Sequence, residues 1–250
     1  MDPTKLRALL DAVSAGEVDV DAAMAKLRDL PYTDLGYAMV DHHRALRQGV
    51  PEVIFGEGKT AEQIVGIATS IVSHGSTCFV TRVTDDKAAA VLAAFPDARH
   101  APIARTLTIA RTPIEPRGSG PVAVIAAGTS DLPVAEEACE TLAALGREVI
   151  RMYDVGVSGI HRILMRREEI ARAVCVIVCA GMEGALPSVV GGLTDRPVIG
   201  VPTSIGYGTA LSGFTPLMAM LTSCASGVTV VNIDNGFGAA FAAARIDRAR

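Results

Sequence analysis

The sequence predicts an α/β protein in which a doubly wound parallel sheet spans residues 120–250 and a smaller helical and α/β region spans residues 1–115. Three observations predict it. In the second half, short Val- and Ile-rich runs alternate with helical patterns, giving five strand–helix units. Half of the chain is hydrophobic but only 4% is aromatic, and Trp is absent, a composition that suits helices packed closely on a parallel sheet. The segment RTPIEPRGSGP, with three prolines and two glycines in eleven residues, indicates a linker and places the domain boundary near residues 112–120.

The first region begins with two helical patterns within residues 3–30. The first pattern ends on Gly16 and the second stops before Pro31. Residues ~31–111 then alternate strand and helix signals, which predicts a small α/β unit. Its predicted strands and helices, in chain order, are PEVIF, TAEQIVGIATSIVSHG, TCFVTRV, DDKAAAVLAAF and ARTLTIA.

The second region repeats one pattern five times, an apolar strand followed by a helix. The predicted strands are VAVIAAG, REVIRMY, VCVIVCAG, PVIGVPT and VTVVNI. The predicted helices are DLPVAEEACETLAALG, GIHRILMRREEIARA, EGALPSVVGGL, TPLMAMLTS, with Pro216 in its first turn, and GFGAAFAAARI. Because ligands of such sheets bind beyond the carboxyl ends of the strands, the loops that follow the strands are the candidate site.

Charge and cysteine content exclude several classes of function. The net charge is −4, without a long basic run or aromatic stacking platforms, so neither a nucleic acid nor an anionic membrane is an expected partner. The N-terminus has no signal-peptide core, and no uninterrupted apolar stretch of about 18 residues occurs, so a cytoplasmic location is expected. The five cysteines form no CxxC pair. Cys175 and Cys179 lie four apart on one predicted strand, which favours a buried structural pair over a metal site.

The loop after the first strand, AAGTSDLP, combines Gly128, Thr129, Ser130 and Asp131 at a helix N-terminus. Free backbone N–H groups and the helix dipole there can hold a phosphate, and Asp131 can hold a hydroxyl. The alternative is an ordinary helix cap, since Ser and Asp are favoured caps.

The next two loops carry one cation and one carboxylate. After the second strand, His161 and Arg162 begin a helix, and the planar guanidinium suits a phosphate, although a surface arginine is the alternative. After the third strand, Gly181 and Met182 precede Glu183 in a turn that lets a ligand approach the backbone. Glu183 is a candidate base, and the alternative is a carboxylate stabilised by a helix dipole.

The loop after the fourth strand, TSIGYGTALSGFTP, is too long and too rich in glycine to be a simple connection, so it is a candidate lid or binding loop. Further along the chain, LTSCASG contains Cys224, whose position alone favours a buried, inert cysteine. The roles of four polar residues stay open: His161, Ser204, Tyr207 and Ser212.

Two further motifs are weak signals. FGEGKT resembles a P-loop, but the first glycine of that pattern would fall at Val53, and Glu57 would repel a phosphate. DHHR at residues 41–44 offers metal-ligand side chains, but adjacent histidines on a helix point about 100° apart. A surface or interdomain role is expected for DHHR.

Four ordered segments together resemble a known family: AVIAAGTSDLPVAEEA, DVGVSGIHR, CAGMEGALPSVVGGLTDRPVIGVPTSIGYG and LMAMLTSCASGVTVVNIDNGFGAAFAAA. They resemble the flavodoxin-like domain of PurE-type aminoimidazole ribonucleotide carboxylases and, more closely, the LarB proteins of nickel-pincer nucleotide biosynthesis. The likeness covers residues ~120–246, and DHHRALRQGVPEVIFGEGKT resembles the LarB N-terminal extension. The chain departs from PurE in two places: Ala185 replaces the proton-handling histidine, and TSCAS, with Cys224, replaces a segment like QMP.

The resemblance implies a reaction. LarB enzymes carboxylate nicotinic acid adenine dinucleotide at pyridinium C5 and hydrolyse its phosphoanhydride, giving pyridinium-3,5-biscarboxylic acid mononucleotide and AMP. By this resemblance Cys224 is the nucleophile and Glu183 the base, while Ser130, Asp131 and Arg162 hold ribose and phosphates. The remaining residues expected to bind the substrate are Gly128, Thr129, His161, Gly181, Met182, Ser204 and Tyr207.

CO2 or bicarbonate is the implied co-substrate, Mg²⁺ is a cofactor of the hydrolysis without assigned ligands, and the implied assembly is a homo-octamer. Two alternatives stay open: an aminoimidazole ribonucleotide carboxylase or mutase, against which Ala185 argues, and a non-catalytic nucleotide-binding module. The role of the first 110 residues and the order of carboxylation and hydrolysis also stay open.

Overall fold

A computed structural model describes residues 3–28 and 32–247. The chain divides into two units, the first ending at Ile114 and the second beginning at Glu115. The predicted end of the second helix before Pro31 lies outside the described residues. Among the described helices, none combines the length and the apolar character that a membrane crossing requires.

The first unit combines helices with a four-stranded sheet of order β3-β4-β6-β5 and a two-stranded antiparallel sheet, β1-β2. Its elements are α1 (Pro3–Ser14), α2 (Val20–Arg28), β1 (Thr33–Asp34), β2 (Met39–Val40), α3 (Arg44–Gln48), β3 (Val53–Phe55), α4 (Ala61–Ser73), β4 (Cys78–Thr81), α5 (Asp85–Ala94), β5 (Arg99–Ala101) and β6 (Thr106–Ile109). β3 and β4 are parallel, and β6 is antiparallel to β4 and β5. The predicted α/β character is confirmed; β1, β2, α3 and β5 were not predicted because segments of two to five residues show no periodicity.

The weak motifs of the first unit take structural roles. Glu57 pairs with Arg82 at 3.7 Å, and the Lys59 ammonium donates to the Phe55 carbonyl at 3.3 Å. His42 is buried and stacks on His74 with ring centroids 3.7 Å apart. The expected surface or interdomain role is therefore wrong for His42, because its ring packs inside the first unit.

The second unit is a five-stranded, fully parallel sheet of order β11-β10-β9-β7-β8. Its elements are β7 (Val122–Ala126), α6 (Leu132–Ala144), β8 (Val149–Met152), α7 (His161–Leu164), α8 (Arg167–Arg172), β9 (Cys175–Ala180), α9 (Leu186–Gly191), β10 (Val198–Pro202), α10 (Phe214–Leu221), β11 (Val228–Val230) and α11 (Gly236–Ile246). Numbered within the sheet, this is the flavodoxin order 2-1-3-4-5. The predicted doubly wound fold is confirmed.

The central strands are buried on both faces, which explains their continuous apolar sequences. Every residue of β7, β9 and β10 is buried. Cys175 and Cys179 face α6 and α11 on one side of the sheet, whereas Val176 and Val178 face α7 to α10 on the other. Each fully buried Val or Ile stabilises the fold by about 1.5–3 kcal/mol relative to exposure. The prediction of a buried structural cysteine pair is confirmed.

One predicted helix is two. GIHRILMRREEIARA was expected to form a single helix, but it breaks between α7 and α8. Arg166 adopts φ −98° and ψ 12°, and its N–H donates to Ile163 three residues back, so the helical ladder stops there. Its guanidinium then pairs with Glu169 in the first turn of α8. Ile163 and Ile170 are both still buried under the sheet, so the break preserves the apolar face.

Candidate functional site

The candidate site lies at the carboxyl edge of the second sheet, where the strand order reverses at β7. β8 flanks β7 on one side and β9 flanks it on the other. The connections leave these strands toward opposite faces, so a crevice opens between the loops that follow β7 and β9. The predicted site residues 128–131, which follow β7, and 181–183, which follow β9, lie on either side of this crevice.

Asp131 is the buried centre of this edge, with only 4% of its surface exposed. Its Oδ1 accepts a hydrogen bond from the Thr203 hydroxyl at 2.6 Å, and its Oδ2 accepts one from the Gly128 N–H at 2.9 Å. Burial raises the pKa of Asp131, and the hydrogen bonds from Thr203, Gly128 and the Gly181 backbone oppose that rise. The negative charge of Asp234 raises the same pKa further. Asp131 thus joins the loops that follow β7, β9 and β10. These loops at the carboxyl edge of the sheet are called the rim.

Backbone hydrogen bonds join the loops after β9 and β10. The Thr203 N–H donates to the Ala180 carbonyl at 3.0 Å, and the Met182 N–H donates to the Ile205 carbonyl at 2.9 Å. A Cβ at Gly181 would collide with the Ile205 carbonyl and lie 2.7 Å from the Thr203 hydroxyl oxygen. Only glycine therefore allows the two loops to approach this closely.

Glu183 stands exposed at the tip of the loop after β9. Met182 and Gly184 on either side have φ values of 53° and 68°, and the Gly184 N–H closes the turn on the Gly181 carbonyl at 2.9 Å. A Cβ at Gly184 would lie 2.8 Å from the Pro216 Cα, so the turn rests on the start of α10. Within the described residues, the Glu183 side chain makes no hydrogen bond or ion pair, which leaves the carboxylate available as a base.

The residues predicted to hold phosphates lie at the same edge. Thr129 and Ser130 are exposed in the 3₁₀ turn that leads into α6. The loop after β8 lies beside the loop after β7, because a Cβ at Gly156 would lie 2.8 Å from the Ala127 carbonyl oxygen. That neighbouring loop leads to Arg162, whose guanidinium is one-third exposed and pairs with Asp154 at 2.8 Å. The arrangement places hydroxyls and one cation on adjacent loops, as phosphate binding requires.

Three further predicted residues, His161, Ser204 and Tyr207, are exposed. His161 is the first residue of α7, and Tyr207 is 82% exposed in the long loop after β10. The Ser204 N–H donates to Asp234 Oδ1 at 2.8 Å, which fixes the start of that loop. Further along the loop, Leu211 and Ser212 adopt left-handed φ values of 48° and 52°. The roles of His161, Ser204 and Tyr207 in binding stay predictions.

Cys224 is exposed, whereas the other four cysteines are buried. The position-based expectation that the thiol at residue 224 is buried is therefore wrong, because the turn between α10 and β11 lies at the surface. Neighbouring Ser223 contacts Ser188 of α9, with 2.7 Å between the hydroxyl oxygens.

The turn that bears Cys224 leads into the amino end of β11, where Val228 pairs with Val198. The rim starts at the other end of β10, at Pro202. The four steps along β10 from Val198 to Pro202 separate the Cys224 turn from the rim by about 13 Å along the strand direction. Within the described residues, no contact brings Cys224 to Glu183 in a single chain.

The described residues do not form a metal site of their own. Among them, no group of three or more His, Cys, Asp or Glu side chains is arranged to hold a metal ion. The buried Asp131 already accepts hydrogen bonds on both oxygens. The described residues therefore offer no cage for the Mg²⁺ that the resemblance implies.

Two rim residues were not predicted from the sequence, Thr203 and Asp234. Thr203 is the first polar residue after the apolar run PVIGVP and is fully buried. Asp234 follows VTVVNI, adopts φ 54°, and its N–H donates to the Pro202 carbonyl at 2.9 Å. Both carry the same signal as the predicted residues, a polar side chain directly beyond the carboxyl end of a strand.

Comparisons with known proteins decide the family. The LarB/PurE-like N-terminal domain matches residues 32–111, and the AIR carboxylase family matches residues 121–250. An uncharacterized protein of Methanocaldococcus jannaschii is 41% identical over an alignment of 242 residues, and the match covers 94% of this chain and 93% of that protein. The chain belongs to the LarB (PurE-like) family.

In its second unit, this LarB-family chain is also similar to ribonucleotide mutases. N5-carboxyaminoimidazole ribonucleotide mutases of Pyrococcus horikoshii and Thermotoga maritima are each 35% identical to it, over 133 and 134 residues. These alignments cover half of the LarB-family chain and 71% and 73% of the two mutases. The two matched domains place the protein among carboxylase- or mutase-type enzymes.

Proposed function

We propose that this LarB-family protein carboxylates nicotinic acid adenine dinucleotide at pyridinium C5 and hydrolyses its phosphoanhydride. The products are pyridinium-3,5-biscarboxylic acid mononucleotide and AMP. The observation that carries the proposal is the exposure of Cys224, since the other four thiols are buried. Burial raises the pKa of Cys78 and Cys139 to about 12, so these two stay protonated at neutral pH.

The reaction explains why an accessible thiol is needed. A pyridinium ring is electron-poor and does not attack CO2. Addition of the Cys224 thiolate to C4 forms a C–S bond and turns the ring into a dihydropyridine, whose C5 attacks CO2 as an enamine carbon. Glu183 then takes the C5 proton, the C4–S bond breaks toward sulfur, and aromaticity returns. No external oxidant or reductant is required.

The rim loops supply the binding groups. Thr129 and Ser130 offer exposed hydroxyls, and Arg162 offers a partly exposed guanidinium, which together suit ribose and phosphate oxygens. Asp131 is almost fully buried and holds the loops.

We propose that the active assembly is the homo-octamer implied by the family. α10 carries an apolar stripe at helical spacing, with Phe214, Met218 and Leu221 at 54%, 44% and 59% exposure. Such a stripe on a surface helix suits packing against a second copy. The turn bearing Cys224 follows this stripe and enters the sheet far from the rim of its own chain. Packing through α10 would carry Cys224 of one copy toward Glu183 of its neighbour.

The proposal is tested with the full-length protein, nicotinic acid adenine dinucleotide, bicarbonate and Mg²⁺, read by mass spectrometry. AMP and a dicarboxylated mononucleotide are expected. Cys224→Ser should abolish the carboxylated product, whereas Ser226→Ala, a matched change at an exposed position in the same turn, should leave it. Unchanged dinucleotide with the wild-type protein would refute the proposal.

A mixing experiment tests the shared site. Cys224→Ser and Glu183→Gln variants should each be inactive, and subunits exchanged between them should regain carboxylation if one copy supplies the thiol and another the base. Absence of recovery after demonstrated subunit exchange would place both groups in one chain.

The second candidate is an aminoimidazole ribonucleotide mutase, favoured by the 35% identity to the two mutases. Ala185 argues against it, because the PurE-type enzymes that this chain resembles have a proton-handling histidine there. Conversion of N5-carboxyaminoimidazole ribonucleotide by the wild-type protein, retained in Cys224→Ser, would support this candidate over the first.

A further inference from the structure

One buried hydroxyl lies among the rim loops of the second unit. Thr203 directly follows β10 and is fully buried. Its Oγ1 donates to Asp131 Oδ1 at 2.6 Å, across 72 positions of sequence. A side chain this deeply buried cannot touch a substrate, so any effect on the reaction must pass through its neighbours.

Those neighbours are the residues that shape the crevice. Asp131 also accepts the Gly128 N–H at 2.9 Å and interacts with the Gly181 backbone, so it lies between the loops after β7 and β9. The Thr203 backbone N–H meets the Ala180 carbonyl at 3.0 Å, at the start of the loop that carries Glu183. Thr203 therefore contacts that loop through its backbone directly and through its hydroxyl by way of Asp131.

The hydroxyl itself also abuts Gly181. A Cβ at that position would lie 2.7 Å from Thr203 Oγ1. Removing the hydroxyl would take one hydrogen bond from a buried carboxylate and open space beside the first residue of the loop. A buried acceptor that loses a partner is costly, so Asp131 would shift or take up a proton.

We propose that Thr203 is a positioning residue of the carboxylation: by holding Asp131, it fixes the loop of residues 181–185 so that Glu183 faces the substrate ring. This inference rests on the proposed function. Thr203 does not contact the substrate, and its hydroxyl, rather than the volume of its side chain, positions the loop.

The test compares Thr203→Val, which keeps the shape and loses the hydroxyl, with Thr203→Ser, which keeps the hydroxyl. Misplacing a reacting group by about 1 Å costs on the order of 100-fold in rate. Thr203→Val should therefore lower kcat by about that factor with little change in KM, and Thr203→Ser should stay within a few-fold of wild type. Hydrogen exchange at residues 181–185 should accelerate in the Val variant only.

A pH profile gives a readout that a general loss of stability would not move. The hydrogen bond from Thr203 lowers the pKa of Asp131, while burial and the charge of Asp234 raise it; the thiol of Cys179 on β9 also lies near. Losing the hydroxyl should therefore raise the pKa of Asp131. Because Asp131 must be ionised to accept hydrogen bonds on both oxygens and hold the loop, the fall of kcat at acid pH should move to higher pH. The Ser variant should keep the wild-type limb.

The outcomes separate this inference from the proposed function. If the wild-type protein converts the dinucleotide and Thr203→Val matches it in kcat, acid limb and exchange, the inference is wrong and the reaction stands. If the wild-type protein converts no dinucleotide but hydrogen exchange at residues 181–185 rises in Thr203→Val alone, the positioning of the loop by Thr203 is supported and the proposed reaction is refuted. Should the Val variant not fold, Thr203→Ala replaces it. A Ser variant as impaired as the Val or Ala variant would overturn the role of the hydroxyl.

Discussion

Removal of Asp247 should destabilise the second unit more than any surface change. The Arg147 and Asp247 side chains are 8% and 2% exposed and form an ion pair with 2.8 Å between Nη1 and Oδ2. Arg147 also donates to the carbonyls of Ala244 and Asp247 at 2.9 and 2.7 Å. Asp247 in turn accepts the Ser119 hydroxyl at 2.6 Å and its N–H at 3.0 Å. The cluster ties the end of α11 to the segment before β7.

The magnitude follows from the charge that is left behind. Asp247→Ala leaves the Arg147 guanidinium buried without its carboxylate, which costs about 3–5 kcal/mol. At roughly 2–4 °C per kcal/mol for a chain of this size, the melting temperature should fall by about 10 °C. The measurement is thermal and urea unfolding of the full chain, followed by circular dichroism.

A matched control is Asp195→Ala. Asp195 pairs with Arg196 at 3.3 Å, but its side chain is 87% exposed, so the change should stay within about 0.5 kcal/mol. The double variant Arg147→Met/Asp247→Leu removes both charges and should be less destabilised than Asp247→Ala. A loss below about 1 kcal/mol for Asp247→Ala, or a double variant worse than the single one, would refute the reasoning.

Three further predictions concern thiols and the rim. In the folded protein a thiol reagent should modify one cysteine, Cys224, and the remaining four only after unfolding, as peptide mapping would show; early labelling of a buried cysteine would contradict the fold. Gly181→Ala should disrupt the rim because its Cβ would collide with the Ile205 carbonyl and crowd Thr203, so loss of product together with a lowered melting temperature is expected; wild-type activity and stability would contradict the close approach of the two loops. Burial raises the pKa of the Cys78 thiol from its ordinary value of 9.0 to about 12. Between about pH 9 and 12 the folded protein therefore keeps this proton while the unfolded chain loses it, so the free energy of unfolding should fall as the pH rises through this range. The slope due to this thiol is about 1.4 kcal/mol per pH unit, and urea unfolding of Cys78→Ala should lack it; an identical slope in both proteins would contradict the assignment.

The sequence was sufficient for the architecture because each element of the second sheet carries its own signal. The runs VAVIA, CVIVCA and VIGVP are apolar on both faces and so predict central parallel strands, which they are. The break at Arg166 was missed, since the apolar spacing of Ile163 and Ile170 suits one helix as well as two. The site was harder: Asp131 and Thr203 are 72 positions apart, and only the strand order brings them together. A polar residue after a strand marks the edge, but it does not tell whether the side chain faces the ligand or holds the loop.

The positions of Cys224 and Glu183 define the central question of this site. Both side chains are exposed, but one lies in the turn that enters the amino end of β11, and the other lies beyond the carboxyl end of β9. In the proposed reaction the pyridinium ring must contact both groups at once, because C4 and C5 are adjacent atoms. The turn is held near the amino end of the sheet because β11, into which it leads, pairs with β10 from Val198 to Gly200. The apolar stripe of α10, which leads into that turn, resolves the conflict if a second copy packs on it, so that assembly and catalysis depend on the same helix.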